Sequence, residues 1–374
     1  MTERNNNDDF TFIQDISLQM CSENEEKSAG FFQDAMVRLL KNKASIITMV
    51  VILLISLFAI LGPSMSKYGY NDQDVTRTNL PPKIPVLEKL HIADGTMILY
   101  NKAESSLTDK NKFPEGSVVE ITNRYKSSGV SMVDVKVDMY KYSNVEEGVY
   151  YICGTDYLGR DLFTRLWRGA RVSLMIAVLS VAVNICIGLL YGSIAGFYGG
   201  KIDMVLMRLV EIISAFPQVI IATMLILFLG TGIKAIVIAL IIRGWVATAK
   251  MIRGQFFRFK EREYVLAAKT LGVSDFKLIF RYIMPNSIGP IITKAMLEIP
   301  SAIFAESFLA FIGLGVQAPE PSIGVLLSDA QKVLITYPYQ MLFPAVLISI
   351  LMVCFNLFGN GLRDAFDPTM RGLE

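Results

Sequence analysis

Residues 261–286 read EREYVLAAKTLGVSDFKLIFRYIMPN, a charged, helix-prone stretch between two long apolar runs. Its first part, REYVLAAKTL, is built from good helix formers, and Gly272 is placed to stop that helix. Ser274 is placed to cap a second helix. Along it Phe276, Ile279, Phe280 and Ile283 recur at i, i+3, i+4 and i+7, one apolar stripe. Pro285 is expected to end this second helix. The segment reads as helix–glycine–helix lying on a membrane face. The small residues Ala267, Ala268 and Gly272 leave its outer side shallow enough for a partner to approach. An ordinary amphipathic loop would share these local features.

The apolar runs on either side set the fold class. The chain has 374 residues, 52% of them hydrophobic. Runs of about 18 residues or more recur, long enough at ~1.5 Å per residue to cross a ~30 Å hydrocarbon core. Six spans are expected, near 44–62, 172–197, 209–230, 232–250, 287–312 and 342–359. The first is too long for a signal-peptide core and no convincing cleavage site follows it. Pro217 is expected to kink the third span by removing a helical hydrogen bond.

Basic residues orient the spans. Arg253, Arg258, Lys260, Arg262, Lys269, Lys277 and Arg281 crowd the loop between spans four and five, which is expected in the cytoplasm. Arg38, Lys41 and Lys43 before the first span agree, as do Arg363 and Arg371 after the last. Arg160, Arg165, Arg168 and Arg171 disagree, because parity puts them outside. No run between Pro63 and Arg160 is long enough for the extra crossing that would move them in. Both termini are therefore expected in the cytoplasm, with residues 1–43 as an N-terminal tail.

Residues 64–150 then form an external insertion. SVVEITNRY and SMVDVKVDMYKY within it alternate as half-buried strands do. A small, mostly β unit is expected, with a disordered loop as the alternative.

Several functions are disfavoured. The net charge of +2 gives no reason to expect a nucleic-acid partner. Cys21, Cys153, Cys186 and Cys354 have no metal-ligand spacing, and His91 is the only histidine. GGKI lacks the first glycine and the hydroxyl residue of a phosphate-binding loop. HExxH and GxSxG are absent, so no enzymatic site is read here and any ATP energy must come from another subunit.

YVLAAKTLG followed by IFRYIMPN resembles the EAA loop of ABC importer permeases. GTDYLGRDLFTRLWRGARVSL, GFYGGKIDMVLMRLVEIISAFP, FIGLGVQAPEPSIGVLL and FNLFGNGLRDAFDP follow in the order found in the C-type permeases of peptide and nickel importers. The resemblance covers residues 154–372 and the first span. It implies an all-α, six-helix type I permease with a coupling loop at 261–286. Ala267, Ala268, Gly272, Asp275 and Pro285 become the candidate ATPase-coupling residues. It further implies a homologous B-type permease as heterodimer partner, and two P-loop ATPase subunits that carry ATP and Mg. An external substrate-binding lipoprotein, a peptide substrate and a bacterial cytoplasmic membrane complete the picture. Two positions depart from the family pattern: Leu266 stands where the EAA glutamate falls, and Asn360 where aspartate is usual. In the block after residue 154, Asp156, Gly159, Arg160 and Asp161 are expected to brace the segment rather than to touch substrate.

Charges at membrane depth stand apart from this pattern. Arg243 lies about 16 Å into the fourth span, and Lys294 and Glu298 lie within the fifth. A charge at the bilayer centre costs about 2.5–3.5 kcal/mol, so these side chains should face protein or water. A structural pair, Arg243–Glu298 or Lys294–Glu298, is one reading. The other is that Arg243, Lys294, Glu298 and Glu306 line a translocation path. A nickel or metal-chelate importer is the nearest alternative function. A secondary transporter using Glu211, Glu298 and Glu306 is the alternative from another class, and it has no need of the 261–286 loop.

Overall fold

The computed structural model describes residues 31–366 except 86, 87, 89–92, 111 and 128. The expectations for Cys21, His91, Arg371 and the first thirty residues lie outside the described residues. Ten helices carry the fold. Helix α1 is Phe31–Lys41 and α2 is Lys43–Met65. After the insertion come α3, Leu162–Tyr198, α4, Gly200–Ala215, and α5, Gln218–Leu229. They are followed by α6, Ile233–Lys260, α7, Glu263–Thr270, and α8, Asp275–Leu314. Ile323–Lys332 is α9 and Tyr339–Phe366 is α10.

Five of these helices are individually long and apolar enough to cross a bilayer, and α4 with α5 makes a sixth span if the two count as one. That pair corrects the expected continuous third span. The helices meet at 80° around Pro217. Phe216 is extended there, as a residue before proline prefers, so the chain starts a new helix instead of kinking an old one.

The second span also differs from expectation. Helix α3 starts at Leu162 because Asp161 caps it, accepting from Phe163 N and Thr164 N. Its 37 residues make it about 55 Å long. Arg165, Arg168 and Arg171 therefore sit on a helical extension at the insertion end of the bundle.

A stripe of glycines binds α3 to α6. Gly188, Gly192 and Gly196 are spaced four apart, so they fall on one face. A Cβ on Gly192 would stand 2.4 Å from the Ala249 carbonyl oxygen, and one on Gly196 2.6 Å from Phe256 Cβ. Elsewhere Ile55 of α2, Ala170 and Ala177 of α3, Ile303 of α8, Ile323 of α9 and Leu351 of α10 share one apolar cluster.

The insertion forms a three-stranded antiparallel sheet: β1, Thr96–Ala103, β2, Val118–Ser127, and β3, Val130–Asp138, in the order β1-β3-β2. β3 is central, and its alternation works as read: Val133, Val135 and Val137 are fully buried against Leu80, Phe113 and Tyr140.

Candidate functional site

The 261–286 segment folds as helix–turn–helix. α7 ends in a Schellman turn: Val273 N donates to Ala268 O at 3.2 Å and Gly272 N to Lys269 O at 3.0 Å. Gly272 sits at φ +78° with open space around it. It is needed for the turn itself, because a side chain there costs about 1–2 kcal/mol of backbone strain. Ser274 occupies the cap position of α8, but its side chain makes no capping bond.

Several finer expectations are corrected. Pro285 does not stop the second helix, which continues into the fifth span as one 40-residue helix. The turn before it, Leu278–Ile283, is π-helical, and Met284 N reaches back to Ile279 O. This wider turn accommodates the proline. The same turn alters the stripe: Leu278, Ile279 and Ile283 are buried, whereas Phe276 is 69% exposed. Ala267 faces out, but Ala268 packs inward with Val265 and Leu278. Asp275 is exposed at the first turn of α8. The outer surface is thus less a shallow alanine face than an apolar one. Leu271 is 84% exposed, and Tyr264 and Leu266 are exposed beside it.

Within the bundle, Lys294 Nζ lies 3.2 Å from Glu298 Oε1, and Thr248 Oγ1 donates to the same oxygen at 2.8 Å. Of the two expected pairs only this one forms. Arg243 is half-exposed and has no ion-pair partner among the described residues. Glu306 departs from the path-lining expectation: it is fully buried and accepts from Ser173 Oγ at 2.8 Å. That serine in turn accepts from Ile323 N, so Glu306 braces α8 against α3 and α9.

At the insertion end a polar hub joins the sheet unit to the bundle. Asp156 accepts from Arg160 Nε at 2.7 Å and lies 3.5 Å from Arg165 Nε, and both arginines are 2% exposed. Arg165 also donates to Tyr70 O, and Arg171 to Ile60 O. Arg168 grips Glu320 with two bonds, which hold that carboxyl below the usual range. These contacts use the four arginines that disagreed with the charge rule. They also favour the bracing role expected for Asp156 and Arg160. Cys153 is buried beside the hub. Burial, then the Asp161 charge, pushes its thiol up to about 12, which keeps it protonated and unreactive.

The glycine stripe on α3 was missed in the sequence reading. Its signal, three glycines at four-residue spacing in an apolar run, was available there.

A bundle of five or six apolar helices with a helical turn exposed at one end and a small sheet unit at the other is the architecture of a polytopic membrane protein. The chain belongs to the family of binding-protein-dependent transport system inner membrane components. Residues 188–372 match that family's model, and residues 30–82 match the N-terminal TM domain of oligopeptide transport permease C. The chain is similar to the dipeptide transport system permease protein DppC of Lactococcus lactis subsp. cremoris, at 36% identity covering 97% of this chain and 98% of that protein. It is also similar to the oligopeptide transport system permease protein OppC of Bacillus subtilis, at 35% identity covering 92% of each chain. OppC of Escherichia coli K12 is 34% identical, covering 93% of this chain and 94% of the relative.

Proposed function

We propose that this chain is the membrane-spanning permease subunit of an ATP-driven importer of oligopeptides or dipeptides. What carries the reading is near full-length similarity to proteins named as peptide permeases, joined to the exposed apolar turn at 261–286. In this reading the chain pairs with a homologous B-type permease, and each contributes half of the pore. A substrate-binding lipoprotein delivers peptide from outside. Two P-loop ATPase subunits bind ATP and Mg and dock on the 261–286 segments, and this subunit is not itself an enzyme. Nucleotide closure draws the two segments together and shifts the pore between access states, because the states differ in their affinity for nucleotide. The chain sits in the bacterial cytoplasmic membrane with both termini inside and residues 64–150 outside.

The docking assignment is tested at Leu271 and Phe276, which are 84% and 69% exposed and need no special backbone; the ring of Phe276 meets Phe280 of its own helix. Leu271→Asp with Phe276→Asp is expected to leave the permease folded and inserted. Co-purification with the ATPases should fall about tenfold or more, as for loss of central apolar anchors. Wild-type co-purification and wild-type peptide-stimulated hydrolysis would sink the assignment.

Orientation is tested separately. Ser105 and Ser127 are exposed on the sheet unit. Ser105→Cys or Ser127→Cys should react with an impermeant maleimide on intact cells. Labelling that requires lysis would invert the topology.

A further inference from the structure

The face that α6 leaves uncovered differs from the lipid-like faces of α2 and α5. On α2 the exposed residues include Ile47, Leu53 and Leu57, and on α5 they include Leu227 and Phe228. On α6 no large apolar side chain is exposed between Ile238 and Tyr264 among the described residues. The uncovered stripe is instead Arg243, Ala247, Lys250, Gly254 and Arg258. Steps of three or four residues put these on one helical face, about 22 Å from end to end. Three cations and two small residues do not suit hydrocarbon, where a charged side chain is costly. They suit a wet wall.

The wall is closed at one end. Beyond Arg243, the residues that continue the same face, Ala239, Leu240 and Ile236, are buried in one cluster with Ile176 of α3, Ala222 of α5 and Leu309 of α8. Arg243 therefore stands where the open stripe meets the closed packing. No acidic residue occurs anywhere in α6. Two carboxylates bond α6, and each already has its own cation: Asp203 of α4 pairs with Arg253, and Glu298 of α8 with Lys294. Arg243 and Lys250 have no ion-pair partner among the described residues. The field along this stripe is positive and unanswered by the chain itself.

We propose that the α6 stripe is an electropositive wall of the translocation path, and that it favours peptides through their carboxylates, the C-terminal one and those of acidic side chains. This rests on the peptide-importer reading above and adds a charge preference to it. Arg243 is the residue at the constriction, where its planar donors can meet a passing carboxylate. Lys250 extends the field toward the end that carries α7.

Two measurements on the assembled transporter in membrane vesicles test it. The first needs no peptide. In a chain whose native cysteines are replaced by serine, Ala247→Cys is treated with anionic and cationic methanethiosulfonates of similar size. Each rate is normalised to that reagent's rate with free cysteine. The anionic reagent is expected to be about tenfold faster, and that ratio should shrink when Arg243→Met is added. Leu53→Cys on α2 should stay unreactive. An unreactive Ala247→Cys, or equal normalised rates, would overturn the wall.

The second measurement compares uptake of a glutamate-containing and a lysine-containing tripeptide. Arg243→Met should shift their uptake ratio about tenfold against the acidic peptide, while Arg243→Lys restores most of it. An unshifted ratio would overturn the preference. Wild-type vesicles that import neither peptide, yet show the labelling ratio, would overturn the peptide reading and leave the positive wall standing.

Discussion

Gly192→Leu is expected to prevent this permease from folding after it inserts. The cause is geometric. A Cβ alone would stand 2.4 Å from the Ala249 carbonyl oxygen and 3.0 Å from Ile252 Cβ. The nearer atom is backbone in the middle of α6, so it cannot rotate away. α3 and α6 must separate, and the contacts at Gly188 and Gly196 open with them. Overpacking of a closed seam costs about 1–3 kcal/mol, and more where the obstacle is backbone. In a membrane no hydrophobic force returns the helices once close packing is lost. The folded fraction in detergent, measured by size-exclusion chromatography, should fall about tenfold or more. Gly192→Ala should give a smaller loss of the same kind. Cys186→Leu, at an exposed position on the same helix, should be tolerated. A Gly192→Leu chain that elutes and resists heating like wild type would disprove the seam.

The second large effect is expected at Asp156. Its carboxylate takes bonds from Leu158 N at 2.9 Å, Arg160 N at 3.0 Å and Arg160 Nε at 2.7 Å. Asp156→Ala removes all of them and leaves the buried Arg160 and Arg165 beside each other without their shared anion. Breaking a buried pair by deleting one partner costs about 3–5 kcal/mol. The hub also carries the junction with the sheet unit: Leu80 N donates to Thr155 Oγ1 at 2.8 Å, and Gln340 Nε2 to Asn79 Oδ1 at 2.9 Å. Asp156→Ala should therefore lower thermal stability in detergent and expose residues 64–150 to protease. Asp156→Asn should fall between, since its oxygen can still accept the backbone bonds. Adding Arg160→Met to Asp156→Ala should recover part of the loss by removing one stranded charge. Protease resistance equal to wild type in Asp156→Ala would show that the hub does not hold the two units together.

Much of this molecule is local, and the sequence determined it. The five continuous spans follow from the length of apolar runs, because the bilayer admits only segments that satisfy their own backbone. The Gly272 turn follows from one residue's access to positive φ. The alternation in 131–137 fixed which face of β3 is buried, because a strand's period is two. The ordered motifs pointed to the family from residues 154–372 alone.

What only the tertiary structure decided depended on a second element. Pro285 reads as a stop until the π-helical turn before it makes room. Pro217 reads as a kink, yet its two helices meet at 80°. Glu298 had two candidate cations, Lys294 one turn away on its own helix and Arg243 on another span. Choosing Lys294 over Arg243 required knowing that Thr248 of α6 faces the same oxygen. Glu306 looked like a path residue because a carboxylate in an apolar run is costly. Its cost is offset by Ser173, distant in sequence and adjacent in space. The four arginines that broke the charge rule are explained by partners as distant as Tyr70 and Glu320. In each case the residue type set the chemistry that the position brought. Where that chemistry was satisfied depended on which helix packed beside it, a long-range fact that no local pattern encodes.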